Sequence, residues 1–179
     1  DYNVALGVAT LGADTMGSRS TAIGTFSLQT QNFTTATNAY NTAVGYNSGA
    51  AVTTGTHNTF IGGLTGDAVT TGYYNVAVGA AAMGDNTVGI GSVAVGYIAL
   101  TSQNPATATS MYNTAVGHQA GSNVTTGVRN TIVGGLAGDA LTDADHNTAI
   151  GQGALTADTL GSKSTAIGNN TLFTQNFTT

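Results

Sequence analysis

The segment Asn41-Thr42-Ala43-Val44-Gly45 decides the fold of this chain, because close variants of it return from one end to the other. The next copies are Asn58-Thr59-Phe60-Ile61-Gly62 and Asn75-Val76-Ala77-Val78-Gly79, at a constant spacing. A fixed period of about 17 residues is typical of a solenoid, whose repeats bury their apolar faces only by stacking on one another. The closing glycines are Gly7, Gly24, Gly45, Gly62, Gly79, Gly96, Gly117, Gly134, Gly151 and Gly168.

A second, longer period contains the first. Counted in residues, most steps between closing glycines are 17, one in four is 21, and the resulting superperiod is 72. Residues 1–72, 73–144 and the partial 145–179 align without a gap. We interpret residues 1–179 as a single solenoid segment of a longer repeat array. The lengthened coils carry extra loops at residues 31–38 and 103–110, which we expect to project from one side of the rod.

Composition excludes several classes of function. The chain has 179 residues with 26 glycines and no cysteine, and only 6% of its residues are charged. Glu is absent and Lys nearly so, which argues against exposed helices. Three basic residues are too few for an electrostatic nucleic-acid surface, so we expect no nucleic-acid partner. No apolar run reaches the roughly 18 residues of a membrane span, so we expect no membrane contact within this segment.

Alternation within the five-residue motif predicts a short strand. Its second position is always Val or Thr and its fourth is always aliphatic, and these positions share one face of a strand. We expect that face to point inward. The predicted core residues, from the fourth position, are Leu6, Ile23, Val44, Ile61, Val78, Val95, Val116, Val133, Ile150 and Ile167.

The third position then lies on the opposite, outward face. It is Ala in eight coils and Phe60 or Ile132 in the other two, where a solvated face would carry charged residues. We interpret this row as a flat surface covered by another chain, although Ala can also be merely small enough for a tight roll. The predicted subunit interface is Ala22, Ala43, Phe60, Ala77, Ala94, Ala115, Ile132, Ala149 and Ala166.

The remainder of each coil predicts a second strand. Four residues past the closing glycine stands either Leu or Met, or a glycine followed three residues later by an aliphatic residue such as Val52 or Val69. Two short strands and two turns per coil predict an all-β fold, a flattened parallel β-roll. Equivalent residues stack, so Asn41, Asn58 and Asn75 are expected to form a row of hydrogen-bonded amides.

The repeats resemble a known family. Ser92-Val93-Ala94-Val95-Gly96 and Ser164-Thr165-Ala166-Ile167-Gly168, with a small residue three positions after each glycine, resemble the head repeat of trimeric autotransporter adhesins. The array is also similar to repeats in tail fibres of phages. The resemblance implies a left-handed parallel β-roll, a homotrimer packed side by side or intertwined around a long axis, and an adhesive fibre on a cell or virion surface. Its ligand would be a surface glycan or a matrix or host receptor.

The chain departs from this family in two respects. Its coils are longer than the usual head repeat, and a superperiod of four coils is unusual. No neck, coiled-coil stalk or membrane anchor accompanies the repeats, so the route of attachment and export stays open.

Catalytic and metal-binding chemistry finds little support. Residues 62–69 partly match a calcium-binding nonapeptide, but Thr65 replaces a required glycine and the match recurs only at residues 134–141. We therefore interpret Asp67 and Asp139 as structural turn residues. The histidines His57, His118 and His146 look like surface residues in different slots of the repeat. We expect no catalytic residue, no cofactor, no metal and no enzymatic activity.

Two alternatives to an adhesin remain. A phage tail-fibre shaft would use the same fold. An ice-binding β-solenoid would have a different function. Such solenoids present regular outward rows of Thr. The second-position Thr shares its slot with Val, so we expect it to point inward, against this function. Two unbroken, parallel, outward Thr columns would favour it.

Overall fold

The computed structural model describes residues 2–177 and shows an all-β chain in which none of these residues is helical. Most strands are three residues long and coincide with the middle of the repeated motif, where β-branched residues flank a small one. The strands are β1 (Val4–Leu6), β2 (Gly17–Ser18), β3 (Thr21–Ile23), β4 (Thr37–Asn38), β5 (Thr42–Val44), β6 (Thr59–Ile61), β7 (Val76–Val78), β8 (Val93–Val95), β9 (Thr114–Val116), β10 (Thr131–Val133), β11 (Thr148–Ile150) and β12 (Thr165–Ile167).

Ten of these strands form one parallel sheet in chain order, interrupted in numbering only by β2 and β4, which pair with each other. The register joins equivalent residues of successive coils: Ala43 lies opposite Phe60, and Phe60 opposite Ala77. The coils therefore stack directly, about 17 residues apart, as a parallel β-solenoid. This confirms the fold class predicted from the spacing of the glycines.

The opposite side of each coil differs from the prediction. It consists of turns and not of a second strand, although its backbone is still hydrogen-bonded from coil to coil. The Leu28 N–H donates to the Ser48 carbonyl at 3.1 Å, and the Gly49 N–H to the Thr65 carbonyl at 2.9 Å. The apolar residues predicted on this side, such as Leu28 and Val52, are nevertheless fully buried.

The lengthened coils have exposed loops, as expected. Within residues 31–38 and 103–110, the central residues of both loops are open to solvent. Each loop returns to the rod through a short parallel contact, β2 with β4 in the first case and Ile90 with Ser110 in the second. The extra residues are therefore accommodated without any change of register in the main sheet.

The predicted core and the predicted subunit interface are both wrong, because the strands are rotated by half a turn relative to the expectation. The third position points inward, so the predicted interface residues Ala22, Ala43, Phe60, Ala77, Ala94, Ala115, Ile132, Ala149 and Ala166 are buried inside the chain's own roll. The fourth position points outward, so the predicted core residues Leu6, Ile23, Val44, Ile61, Val78, Val95, Val116, Val133, Ile150 and Ile167 are half-buried or exposed.

The width of the roll explains this inversion. The interior is so narrow that a third-position Ala meets a Leu or Met from the turn side, as in the buried cluster of Ala77, Ala94, Met83 and Leu100. Interiors pack at a fixed density, so a large residue on the strand requires a small one opposite. The side of the strand with the smaller residues is therefore the inner one.

Phe60 shows the converse arrangement. A Cβ atom added to Gly66 would lie 2.5 Å from the Phe60 ring, and one added to Gly49 would lie 2.9 Å from it. Ile132 is related in the same way to Gly121, where an added Cβ would lie 2.8 Å from its Cδ1. Where two successive coils have glycine in place of Leu or Met, one large strand residue, Phe60 or Ile132, thus fills the space beside both glycines.

A row of asparagines ties successive coils together at the start of each strand. The Asn58 side-chain amide donates to the Gly72 carbonyl at 2.9 Å, while its Oδ1 accepts the Asn75 N–H at 3.0 Å. Asn75 repeats the pattern with the Gly89 carbonyl and the Ser92 N–H. The stacking of these asparagines is confirmed, but each amide satisfies backbone groups of its own turn and of the next coil.

The closing glycines permit the close stacking of coils. Gly45 has a φ of +138°, and a Cβ atom there would lie 2.3 Å from the Gly62 carbonyl oxygen of the next coil. Any side chain would therefore force adjacent coils apart, which explains why no other residue occupies this slot.

Candidate functional site

The most extensive candidate surface is the outer face of the ten-stranded sheet. We define the outer face as two columns of side chains, from the second and the fourth positions of the motif. The first column is Val4, Thr21, Thr42, Thr59, Val76, Val93, Thr114, Thr131, Thr148 and Thr165. The second column is the set Leu6, Ile23, Val44, Ile61, Val78, Val95, Val116, Val133, Ile150 and Ile167.

The outer face is long, flat and uncharged. Ten strands at about 4.8 Å spacing make it roughly 45 Å long. Ile61 is 40% exposed in the middle of the second column, although its neighbours stack on both sides. An exposed aliphatic column of this length marks an interaction site more often than a solvated face. The outer face is therefore the candidate surface for lateral association, in place of the predicted interface.

The orientation of the Thr side chains also differs from the expectation. Strand β5 is buried only at Ala43, so Thr42 and Val44 both face outward. The same pattern holds for Thr59 and Ile61 on β6. The first column is thus mainly Thr, interrupted by Val, while the second contains no Thr. The arrangement is one Thr-rich column beside one aliphatic column, not two unbroken Thr columns.

A second candidate surface is the slot that precedes the Asn or Ser of each motif. We call it the aromatic–basic row. Two of the three histidines belong to it, so the expectation that the histidines occupy different slots is wrong for His57 and His146; only His118 lies elsewhere. All members except Gly91 are exposed. The row comprises Tyr2, Arg19, Tyr40, His57, Tyr74, Gly91, Tyr112, Arg129, His146 and Lys163.

The acids Asp67 and Asp139 are partly buried in turns on another side of the roll. Burial raises the pKa of the Asp67 carboxyl above its ordinary value; hydrogen bonding to backbone opposes the rise, and repulsion from Asp85 adds to it. Burial likewise raises the pKa of Asp139, against hydrogen bonds from the backbone and Thr156. Both carboxylates therefore lose hydration without gaining a cationic partner, which fits turn residues.

Within residues 2–177 there is no enclosed pocket and no group of three or more His, Cys, Asp or Glu side chains that could hold a metal ion. The same residues include no helix of the length and apolarity needed to cross a bilayer. The surfaces available for function in the described part of the chain are therefore open and elongated.

Comparison with protein-family models, with curated proteins and with solved structures yields no match.

Proposed function

We propose that this chain is a segment of an extracellular structural and adhesive fibre that assembles as a homotrimer. The outer face is the observation that carries the proposal. Its second column is aliphatic over roughly 45 Å, the length of ten strands spaced about 4.8 Å apart, and its first column is Thr and Val. The strand side of the interior is mainly Ala and the turn side adds larger side chains such as Leu28, Met83 and Leu100, so a single roll is thin and lateral association would add a second core.

The regularity of the rod supports a fibre role. Equivalent residues are in register along all ten strands, and the pairing is purely parallel. Stability in such an array is approximately a sum of coil and nearest-neighbour terms, so the rod tolerates extension by further repeats. The resemblance to trimeric adhesin heads gives the number of subunits and the location on a cell or virion surface. A phage tail-fibre shaft is the close alternative, and the flanking sequence separates the two.

The interface moves to the outer face in this proposal. Val78 and Val95 lie mid-rod in the second column, and their neighbours in the first column are Val76 and Val93. This aliphatic patch of four is where subunits would pack most closely along the axis. The adhesive contacts would then be made by surfaces that remain outside the trimer. The proposal includes no catalytic role, so loss of a hydrolase activity on mutation of a single Asp would contradict it.

Light scattering on the soluble segment tests the association. The expected mass is three times that of one chain, and Val78→Asp or Val95→Asp shifts it to one, because each trimer would bury three carboxylates near its axis. Ala106→Asp, in an exposed loop, is the matched control and leaves the mass unchanged. A wild-type monomer at high concentration contradicts the trimer.

Ice binding is the second candidate, and the outward Thr column favours it. It requires the outer face to be free, so it excludes a trimer packed through the same face. Thermal hysteresis measured on the wild-type segment, together with its mass, separates the two functions. A monomer with hysteresis that Thr42→Tyr abolishes supports ice binding, whereas a trimer without hysteresis supports the fibre.

A further inference from the structure

The aromatic–basic row contains every Lys and Arg of the chain. There are only three in 179 residues, namely Arg19, Arg129 and Lys163, and the chain carries a formal net charge of −5. The remaining members are four tyrosines, two histidines and one glycine; none is acidic. An evenly solvated surface would distribute its few cations over several slots of the coil. Here the positive charge is confined to a single line along the rod.

The side chains of Arg19, Tyr40, His57 and Tyr74 form a ladder. The ring centroids of Tyr40 and His57 are 5.1 Å apart, and those of His57 and Tyr74 are also 5.1 Å apart. At one end of this stack the Arg19 guanidinium lies 5.5 Å from the Tyr40 ring centroid. Consecutive coils therefore present aromatic rings and a cation at the spacing of the coils, about 4.8 Å.

The two arginines of the row each contact the next member of the row. The Arg19 guanidinium donates to the Tyr40 hydroxyl at 2.7 Å, and a nitrogen of Arg129 lies 3.4 Å from Nε2 of His146. A guanidinium has five N–H donors in a planar fork that matches a carboxylate or a sulfate. One contact with a hydroxyl orients the Arg19 fork, and residues 2–177 provide it with no ion-pair partner.

The clearest binding unit consists of the four members of the row that lie between Tyr2 and Gly91. Arg19, Tyr40, His57 and Tyr74 follow one another without a gap, and Gly91 then interrupts the row. In the part of the row after Gly91, Asp145 precedes His146 in the sequence, and Oδ1 of Asp145 accepts the Val128 N–H. The residues that precede the first four members are uncharged. The first unit therefore combines stacked rings with one cation, whereas the part of the row after Gly91 has two cations and one neighbouring acid.

The members of the row share one backbone conformation. All members of the row have φ between 50° and 73°, the left-handed region, with Gly91 at the upper end. Such values cost a non-glycine residue about 1 kcal/mol. Positive φ recurs at other turns of the coil, so strain does not single out this row; its side-chain chemistry does. Gly91 shows that glycine fits the slot, which supplies a conservative substitution for each member.

We propose that the aromatic–basic row binds a linear acidic polysaccharide that lies along the rod. Aromatic rings stack on the apolar faces of pyranose rings, and guanidinium and ammonium groups bind the carboxylates or sulfates between them. A ladder of equally spaced contacts suits a polymer with its own repeat. The inference gives the adhesive role proposed above a ligand class and rests on that role, but it uses a different surface from the proposed trimer interface.

Binding to three immobilised polysaccharides tests the inference. Heparin supplies sulfates, polygalacturonate supplies carboxylates, and dextran is the neutral control. The variants are Arg19→Gly and Tyr40→Gly, which keep the backbone conformation that Gly91 adopts naturally. Tyr46→Ala is the matched control: Tyr46 is 55% exposed against 43% for Tyr40, and it lies in the slot after the closing glycine, outside the row. Thermal melting verifies that each variant is folded.

The wild type is expected to bind heparin or polygalacturonate and not dextran; the acid that binds identifies the anionic group. Tyr40→Gly weakens binding about fivefold or more, the loss typical of one aromatic stacking platform. Arg19→Gly also flattens the dependence of affinity on salt concentration, because one charge contact is removed. Tyr46→Ala changes neither. Equal binding by all variants, binding to dextran, or no binding to either acid overturns the inference. Mass measured by light scattering separates its failure from failure of the trimer.

Discussion

The two faces of the ten-stranded sheet differ in a way that reverses the ordinary expectation. The outer face carries Val, Ile and Thr, while the inner face carries mostly Ala. In a thick domain the larger aliphatic residues would lie inside. In this roll the interior accepts one large residue per level, and the turn side usually supplies it. The comparison shows that the size of a cavity, and not hydrophobicity alone, decides which face of a strand is buried.

The sharpest way to break the comparison is a pair of neighbouring substitutions. Ala77 is fully buried and Val78 is half-buried on the outer face. Ala77→Asp is expected to cost about 4 kcal/mol or more of unfolding free energy, because an unpaired carboxylate enters a closed interior. Val78→Asp is expected to cost about 1 kcal/mol or less within one chain. Urea denaturation followed by circular dichroism measures both.

The same pair also reports on association. If the segment is a trimer, the wild-type unfolding midpoint rises with protein concentration, and that dependence disappears in Val78→Asp. Equal loss of stability in the two variants at all concentrations would mean that both faces are interior, contrary to the structure.

Cavity formation gives the next largest effect. Phe60 is fully buried whereas Ile61 is 40% exposed. Phe60→Ala is expected to cost about 3 to 5 kcal/mol and Ile61→Ala about 1 kcal/mol or less in an isolated chain. Gly66→Ala is also costly alone, because its Cβ would meet the Phe60 ring at 2.5 Å. In the double variant Phe60→Ala/Gly66→Ala the losses are expected to be less than additive, and full additivity would contradict the contact.

The fold could be predicted from sequence because its signals are periodic. The spacing of Gly45, Gly62 and Gly79 gives the coil length, and the stacking of Asn58 on Asn41 follows from it. No single strand could reveal its orientation, because in Thr42-Ala43-Val44 both faces carry residues that tolerate burial. The period of two separates the faces but does not say which one is inside.

The signal that resolves this ambiguity lies outside the strand. The two coils with a large third-position residue are those flanked by glycines on the turn side, namely Phe60 between Gly49 and Gly66, and Ile132 between Gly121 and Gly138. Such an exchange of size is expected only between residues that share a cavity. The predicted interface is therefore displaced by one residue from the outer face. The aromatic–basic row carries no comparable signal within a single coil, because its members share only their position before the Asn or Ser of the motif.

Polar groups differ between the faces as well. On the inner side, Asn75 satisfies the Gly89 carbonyl and the Ser92 N–H, both at the start of a strand. Asn75→Ala is expected to cost about 2 kcal/mol, because the buried Ser92 N–H loses its partner and the Gly89 carbonyl keeps only a longer contact with the Asn86 amide, at 3.4 Å. On the outer face, Thr59→Val is expected to change stability by about 0.5 kcal/mol or less. Thermal unfolding compares the two, and a larger effect at Thr59 would argue for a buried hydroxyl there.

One interior contact offers a gain in stability. The Gln31 amide donates to the Asp14 carboxylate at 2.7 Å, and the Gln175 amide to Asp158 at 2.9 Å. In the middle superperiod the corresponding residue is the amide Asn86, and the Nε2 of the buried Gln103 has no hydrogen-bond partner. Asn86→Asp supplies the missing acceptor and is expected to stabilise the chain by about 1 kcal/mol. A loss in chemical denaturation would mean that the charge is not tolerated there.

The smallest expected effect concerns the turn acids, which lie on neither face of the sheet. Burial raises the pKa of Asp67 in the folded chain, so this group binds a proton more readily when folded than when unfolded. Stability contributed by the protonated form is present below the ordinary Asp pKa and is lost as pH rises through the raised one. Asp67→Asn therefore increases the melting temperature at pH 7. In the wild type the melting temperature falls as the pH rises from about 4, the ordinary Asp pKa, to 7, and the substitution makes this fall smaller. Asp85→Asn is the control that removes only the repulsion and gives a smaller gain. A decrease in melting temperature at pH 7 for Asp67→Asn would show instead that this carboxylate is stabilised by its turn.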